Sequence, residues 1–247
     1  MAFIVDINEN EFFPIIYLKN NTENTIAEIY AFGALLNSFS LNNSINIIDG
    51  FISPQSAIEN IVIEFHSAKL SPFACRISNR KYVFNGHEHI ISKLGLNNEA
   101  IHGLLYDVTF SVIESGANND TAFVKLQYDY SKKDEGFPFN YCCIVTYTLG
   151  PNNTLGIETT IKNNSVEAIP VCDGWHPYFT LACKMDELSF EINADKILEL
   201  NDNLVPTGNI IEYKKFQHSE IIGNTILDNC FLLNGMINQL AHYAIVA

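Results

Sequence analysis

Two histidines stand in settings suited to proton transfer. His176 lies in Pro170-Val171-Cys172-Asp173-Gly174-Trp175-His176-Pro177-Tyr178-Phe179, beside the chain's single tryptophan. An imidazole, whose ordinary pKa is about 6.5, gives and takes protons near neutrality. In an extended chain His176 and Tyr178 share one face. Pro177 cannot donate to a sheet ladder, which places the segment at an edge, a bulge or a strand end, where side chains meet ligands. A core histidine satisfying one hydrogen bond is the competing reading. His102 precedes Gly103, and a glycine there permits an unusual backbone or the close approach of a ligand. The plainer reading of that pair is a turn before a strand. Arg76 sits in the apolar-flanked run Phe73-Ala74-Cys75-Arg76-Ile77, and its planar fork suits two hydroxyls or a carboxylate. Asp228, between Leu227 and Asn229-Cys230-Phe231, is either an acceptor for a ligand or the start of an Asx-turn.

Rival chemistries have weaker support. His87-Glu88-His89 would put two imidazoles on one strand face as a metal pair. It follows Asn85-Gly86, a turn signal, so a hairpin tip is the favoured reading. The chain contains neither a Gly-x-Ser-x-Gly elbow nor a glycine-rich phosphate loop. Its six cysteines form no Cys-x-x-Cys pair; adjacent Cys142 and Cys143 point to opposite strand faces, and the set reads as buried thiols.

The elements that must position these groups are strands. Apolar and polar residues alternate over Tyr106–Val112, Val124–Tyr130, Leu155–Ile161 and Leu188–Ile192. Period two puts one face on a core and the other toward solvent or a cleft. Turn signals separate the runs, and Gly150-Pro151-Asn152-Asn153 reads as a hairpin loop between residues 142–149 and 155–162. Helical periodicity is hard to find. The expectation is one all-β domain, a large antiparallel β-sandwich, spanning residues 1–247. The last residues, His242-Tyr243-Ala244-Ile245-Val246-Ala247, read as a strand, natural or stopped midway.

Charge narrows the partners. The 247 residues carry 28 acidic against 14 basic side chains, a formal net charge of −14. Such a surface repels phosphate backbones and anionic headgroups, so neither nucleic acid nor a membrane is an expected partner. A neutral small molecule is compatible with it. The N-terminal stretch lacks a basic region before an apolar run, and no window nears the roughly 20 apolar residues needed to span a bilayer. The expected location is cytoplasmic, and oligomeric state is left open.

Taken in order, these pieces resemble the aldose 1-epimerase family. Gly33-Ala34-Leu35-Leu36, Pro72-Phe73-Ala74-Cys75-Arg76-Ile77, Phe84-Asn85-Gly86, Ile101-His102-Gly103, Gly136-Phe137-Pro138-Phe139, His176-Pro177-Tyr178-Phe179 and Leu227-Asp228 follow its motifs. The resemblance implies a galactose mutarotase-like supersandwich that interconverts the anomers of a free aldose, with no metal or other cofactor. It makes His176 the acid on the ring oxygen, His102 a group that binds or polarises the sugar, and Arg76 and Asp228 holders of hydroxyls. Two departures accompany it. Cys75 stands where the family has asparagine, and the glutamate base that the family carries after its aspartate motif has no counterpart, since no glutamate follows Asp228. One expectation is therefore a mutarotase whose C-terminal strands lie beyond residue 247. The other is a non-catalytic carbohydrate-binding protein of the same fold.

Overall fold

The computed structural model describes residues 2–181, 183–235 and 243–246, which fall in two compact units, Met1–Thr180 and Leu181–Ala247. In the first unit, strands β1 (Phe3–Glu9), β2 (Pro14–Asn20), β3 (Thr25–Tyr30), β4 (Leu35–Leu41) and β5 (Ile45–Asn46) form an antiparallel sheet in sequence order. Helix α1 (Pro54–Glu64) follows, then the short strands β6 (Ala68–Leu70), β7 (Arg76–Ile77), β8 (Lys81–Phe84), β9 (His87–Ile90) and β10 (Ala100–Ile101). A second antiparallel sheet is a meander of β11 (Ser111–Ala117), β12 (Ala122–Ser131), β13 (Asn140–Gly150) and β14 (Thr154–Asn163). Strand β15 (Gly174–His176) pairs with β6.

Period-two patterning builds the core. Ile16, Leu18, Ala27 and Ile29 of the first sheet meet Val124, Leu126, Val145 and Tyr147 of the second in one cluster, all buried. Their alternates, such as Lys125 and Gln127, point away. Buried Tyr147 donates to the Ala34 carbonyl at 2.8 Å, satisfying the one polar atom it brings into the core. A second cluster joins Phe13, Tyr30, Phe32 and Leu35 to Ala57, Ile61 and Phe65 at α1 and to Ile101 and Tyr106. It underlies the histidines described below.

The second unit has its own small core of Ile192, Ala194 and Phe216. Around it lie β16 (Ser189–Ile192), β17 (Ala194–Leu200), β18 (Pro206–Glu212), β19 (Glu220–Ile221), β20 (Cys230–Leu233) and β21 (Tyr243–Val246). The terminal strand read from the sequence is β21, antiparallel to β16; His242 and Ala247 lie outside the described residues.

The all-β antiparallel fold matches expectation, and so do the β13–β14 hairpin at Gly150–Asn153 and the β8–β9 hairpin turning at Asn85-Gly86. Three local readings need correction. Tyr106 to Phe110 is no strand: Tyr106 is buried in a turn and Phe110 is buried just ahead of β11, with a single bridge from Thr109 to Phe32. Alternating burial looks the same whether or not a ladder forms. Helix α1 was not foreseen, although its signals are present. The Ser53 hydroxyl accepts from the Ser56 amide at 3.1 Å, Pro54 opens the first turn, and Ala57 and Ile61 are spaced four apart. Finally, Cys142 and Cys143 are buried, but Cys75, Cys172, Cys183 and Cys230 lie at the surface.

Candidate active site

His102 and His176 come together although no strand connects them. Their rings are 5.0 Å apart, centroid to centroid, with planes at 73°. Pairing of Trp175 with Lys69 and of His176 with Ala68 carries His176 to one side of the pair. The Ser67 amide donates to the His176 carbonyl at 2.8 Å, and the Trp175 indole donates to the Ser67 carbonyl at 3.0 Å. Beneath this strand the ammonium of Lys69, itself buried, donates to the Gly174 carbonyl at 2.9 Å and pairs with Asp173. On the other side, the His102 amide donates to the Cys75 carbonyl at 3.0 Å and the Leu104 amide to the Ser71 carbonyl at 2.7 Å.

Backbone conformation concentrates strain here. Phe65, Ser67, Cys75 and His102 all have φ between 49° and 60°, a region non-glycine residues rarely occupy. Gly103, at φ 86°, is where a glycine is required: a Cβ built there would lie 2.3 Å from the Ser71 carbonyl oxygen. The sequence reading of His-Gly as a special backbone therefore holds. The chain approaches itself at that point.

Aromatic rings wall the pair. Phe65 caps α1 and lies 4.7 Å from the His102 ring and 6.3 Å from the His176 ring, while its edge meets Tyr106 at 5.2 Å. Tyr178 stacks on His176 at 5.2 Å and on His66 at 4.3 Å. The His66 ring is in turn held by Nδ1, 2.7 Å from the Asp49 carbonyl. A carbonyl only accepts, so Nδ1 carries the proton.

Partial burial changes the acidity of the two rings. Burial, helped by the facing His176 and by Arg76, lowers the pKa of His102 to about 4. Burial also lowers that of His176, and charge on His66 acts in the same direction. At neutral pH each ring is therefore neutral, with one N–H and one lone pair. The Nδ1 atoms of both rings and the Ser67 hydroxyl are buried without a hydrogen-bond partner among the described residues. Leaving a buried polar atom unmatched costs about 1–3 kcal/mol.

Arg76, on β7, pairs with Ile101 across β10, and its Nε donates to the Glu99 carboxylate at 2.5 Å. Asp228 belongs to the second unit, exposed in the segment just ahead of β20. Sequence reasoning missed Phe65, His66, Ser67 and Glu99. The Ser53-Pro54 start signals α1, and Phe65 is the left-handed residue that ends it. His87 and His89 both lie on β9 of the β8–β9 hairpin, with His89 stacked on Tyr82 at 4.9 Å. Among the described residues no group of three or more His, Cys, Asp or Glu is placed to hold a metal ion, and no helix is long and apolar enough to cross a membrane.

Fold and motifs together define a class. Solved structures similar to this chain include the galactose 1-epimerase of Lactobacillus acidophilus NCFM, with a TM-score of 0.82 and 21% identity over 98% of this chain and 77% of that one. A galactose mutarotase-like protein of Clostridium acetobutylicum gives 0.81 at 15% identity over 99% and 77%. The GalM/aldose epimerase homologue of C. elegans gives 0.78 at 18% identity over 100% and 76%. The fold is thus the galactose mutarotase-like one. The family model for aldose 1-epimerase matches residues 14–247, and the chain belongs to that family.

Proposed function

We propose that this protein interconverts the α and β anomers of a free aldose by acid–base catalysis. His176, as its imidazolium, gives a proton to the ring oxygen as the C1–O5 bond breaks, and the anomeric hydroxyl passes its proton to solvent water, leaving an open-chain aldehyde and a neutral imidazole. Rotation about C1–C2 and reclosure by the reverse transfers give the other anomer. His102 hydrogen-bonds the sugar near C1, and Arg76 donates to its hydroxyls. No metal or nucleotide enters this proton balance.

The observation that carries the reading is the pair itself: two rings 5.0 Å apart, each with a buried, unmatched Nδ1. A lowered pKa makes the His176 imidazolium a stronger acid while reducing its population. A second reading is sugar binding without turnover; residues 229–247 hold no glutamate.

Polarimetry of freshly dissolved α-galactose and α-glucose separates the two readings. Mutarotation faster than buffer, falling by about 10²-fold in His176→Asn, is the expected result, that being the usual size of one positioned proton transfer. A rate equal to buffer, with histidine NMR signals that still move on adding sugar, would establish the binding protein instead.

A further inference from the structure

We propose that Glu99 is a specificity-determining residue: its carboxylate keeps the positive charge of Arg76 matched within the protein, so that the site accepts neutral sugars and turns away phosphorylated ones. This rests on the sugar-site reading above.

Backbone geometry creates the pair. Arg76 stands opposite Ile101, and Glu99, extended at φ −100° and ψ 153°, lies two residues before it. Residues two apart in an extended chain share a face, so Glu99 reaches Arg76 across the diagonal. The 2.5 Å bond takes the Nε edge of the guanidinium and is the one side-chain hydrogen bond from Arg76 seen among the described residues. The terminal donors stay available for hydroxyl oxygens, but the unit charge a phosphate would seek is already balanced.

The same matching recurs around the histidines. Lys69, next to the Ala68 that pairs with His176, faces Asp173. His66 lies 3.7 Å from the Glu64 carboxylate. His102 and His176 are held neutral at pH 7 by burial. Arg76 and Lys69 thus each have a carboxylate partner of their own. A dianionic phosphate brought to Arg76 would meet the Glu99 carboxylate with that guanidinium's charge already matched.

Arg76 is only partly buried, and Glu99 more exposed still, so replacing Glu99 is unlike opening a core. The test titrates galactose 6-phosphate, inorganic phosphate and galactose into the wild type, Glu99→Gln and the double variant Arg76→Gln/Glu99→Gln, following the histidine ring proton signals. Glu99→Gln is expected to bind galactose 6-phosphate about tenfold or more tightly than the wild type, the scale of one added charge-assisted contact. The double variant should lose that gain. Glu99→Ser serves in place of Glu99→Gln should thermal melting show the latter unfolded. Wild type that binds galactose 6-phosphate as well as the variant does, or a folded variant that gains nothing, overturns the proposal. Galactose is a separate arm: if it moves no signal in the wild type, the sugar reading fails, whereas a gain in phosphate binding on freeing Arg76 is read independently.

Discussion

Acid should weaken this protein through His102 in a way that one substitution removes. Its pKa is about 4 in the folded chain against an ordinary 6.5, because burial among Phe65, His176 and Arg76 penalises the charged ring. Between those two values the unfolded chain binds the proton and the folded one does not. Stability therefore rises with pH through that window, is complete above about pH 6.5, and is lost as pH falls toward 4. The gap from 6.5 to about 4 corresponds to roughly 3.4 kcal/mol at about 1.4 kcal/mol per pKa unit. The ring is not fully enclosed, so screening by solvent reduces this to about 1.5 kcal/mol. Carboxylates titrate in the same range, which is why the comparison with His102→Gln matters: their contribution is common to both proteins. Urea denaturation at pH 7 and pH 4.5 should show the wild type losing about 1–2 kcal/mol more than His102→Gln on acidification. Equal losses, within about 0.3 kcal/mol, or an NMR titration of the His102 ring with a midpoint near 6.5, would refute the argument that burial holds this ring neutral.

Two further substitutions test the frame around the pair. Gly103→Ala places a methyl against the Ser71 backbone at a φ of 86°, where neither side yields; a loss of about 3 kcal/mol or more in urea denaturation is expected, and a change under 1 kcal/mol would show that the close approach is not rigid. Lys69→Met strands Asp173 and the Gly174 carbonyl beneath β15 and should cost about 2–3 kcal/mol, less than a fully enclosed pair because Asp173 reaches solvent; an unchanged midpoint would remove Lys69 from the support of His176.

How much of this was legible in the sequence depends on the range of the interaction. Alternation over Val124–Tyr130 and Leu155–Ile161 reports a sheet face directly, since the period is local, and β12 and β14 appear where it falls. The same rule misleads at Tyr106–Phe110, where side chains alternate in burial without any ladder beyond one bridge. His102-Gly103 was readable because the demand on the backbone is local to the glycine. His176 was readable because Pro177 and Trp175 constrain where such a segment sits.

What the sequence could not display is juxtaposition that depends on register. Glu99 reads as an ordinary acidic residue in a loop until Ile101 is seen opposite Arg76; a slip of one residue would turn its carboxylate to the other face. Phe65 is similar: its left-handed cap follows from where α1 stops, and only that stop sets a phenyl ring against two histidines from other parts of the chain. The motifs thus single out the two histidines that the fold brings together, whereas the residues that set their acidity and the charge balance beside them enter through pairing. A chain sharing every motif, but with asparagine in place of Glu99, would keep the histidine pair and leave Arg76 unmatched. On this reasoning it should differ from the present protein in its response to phosphate more than in its response to galactose.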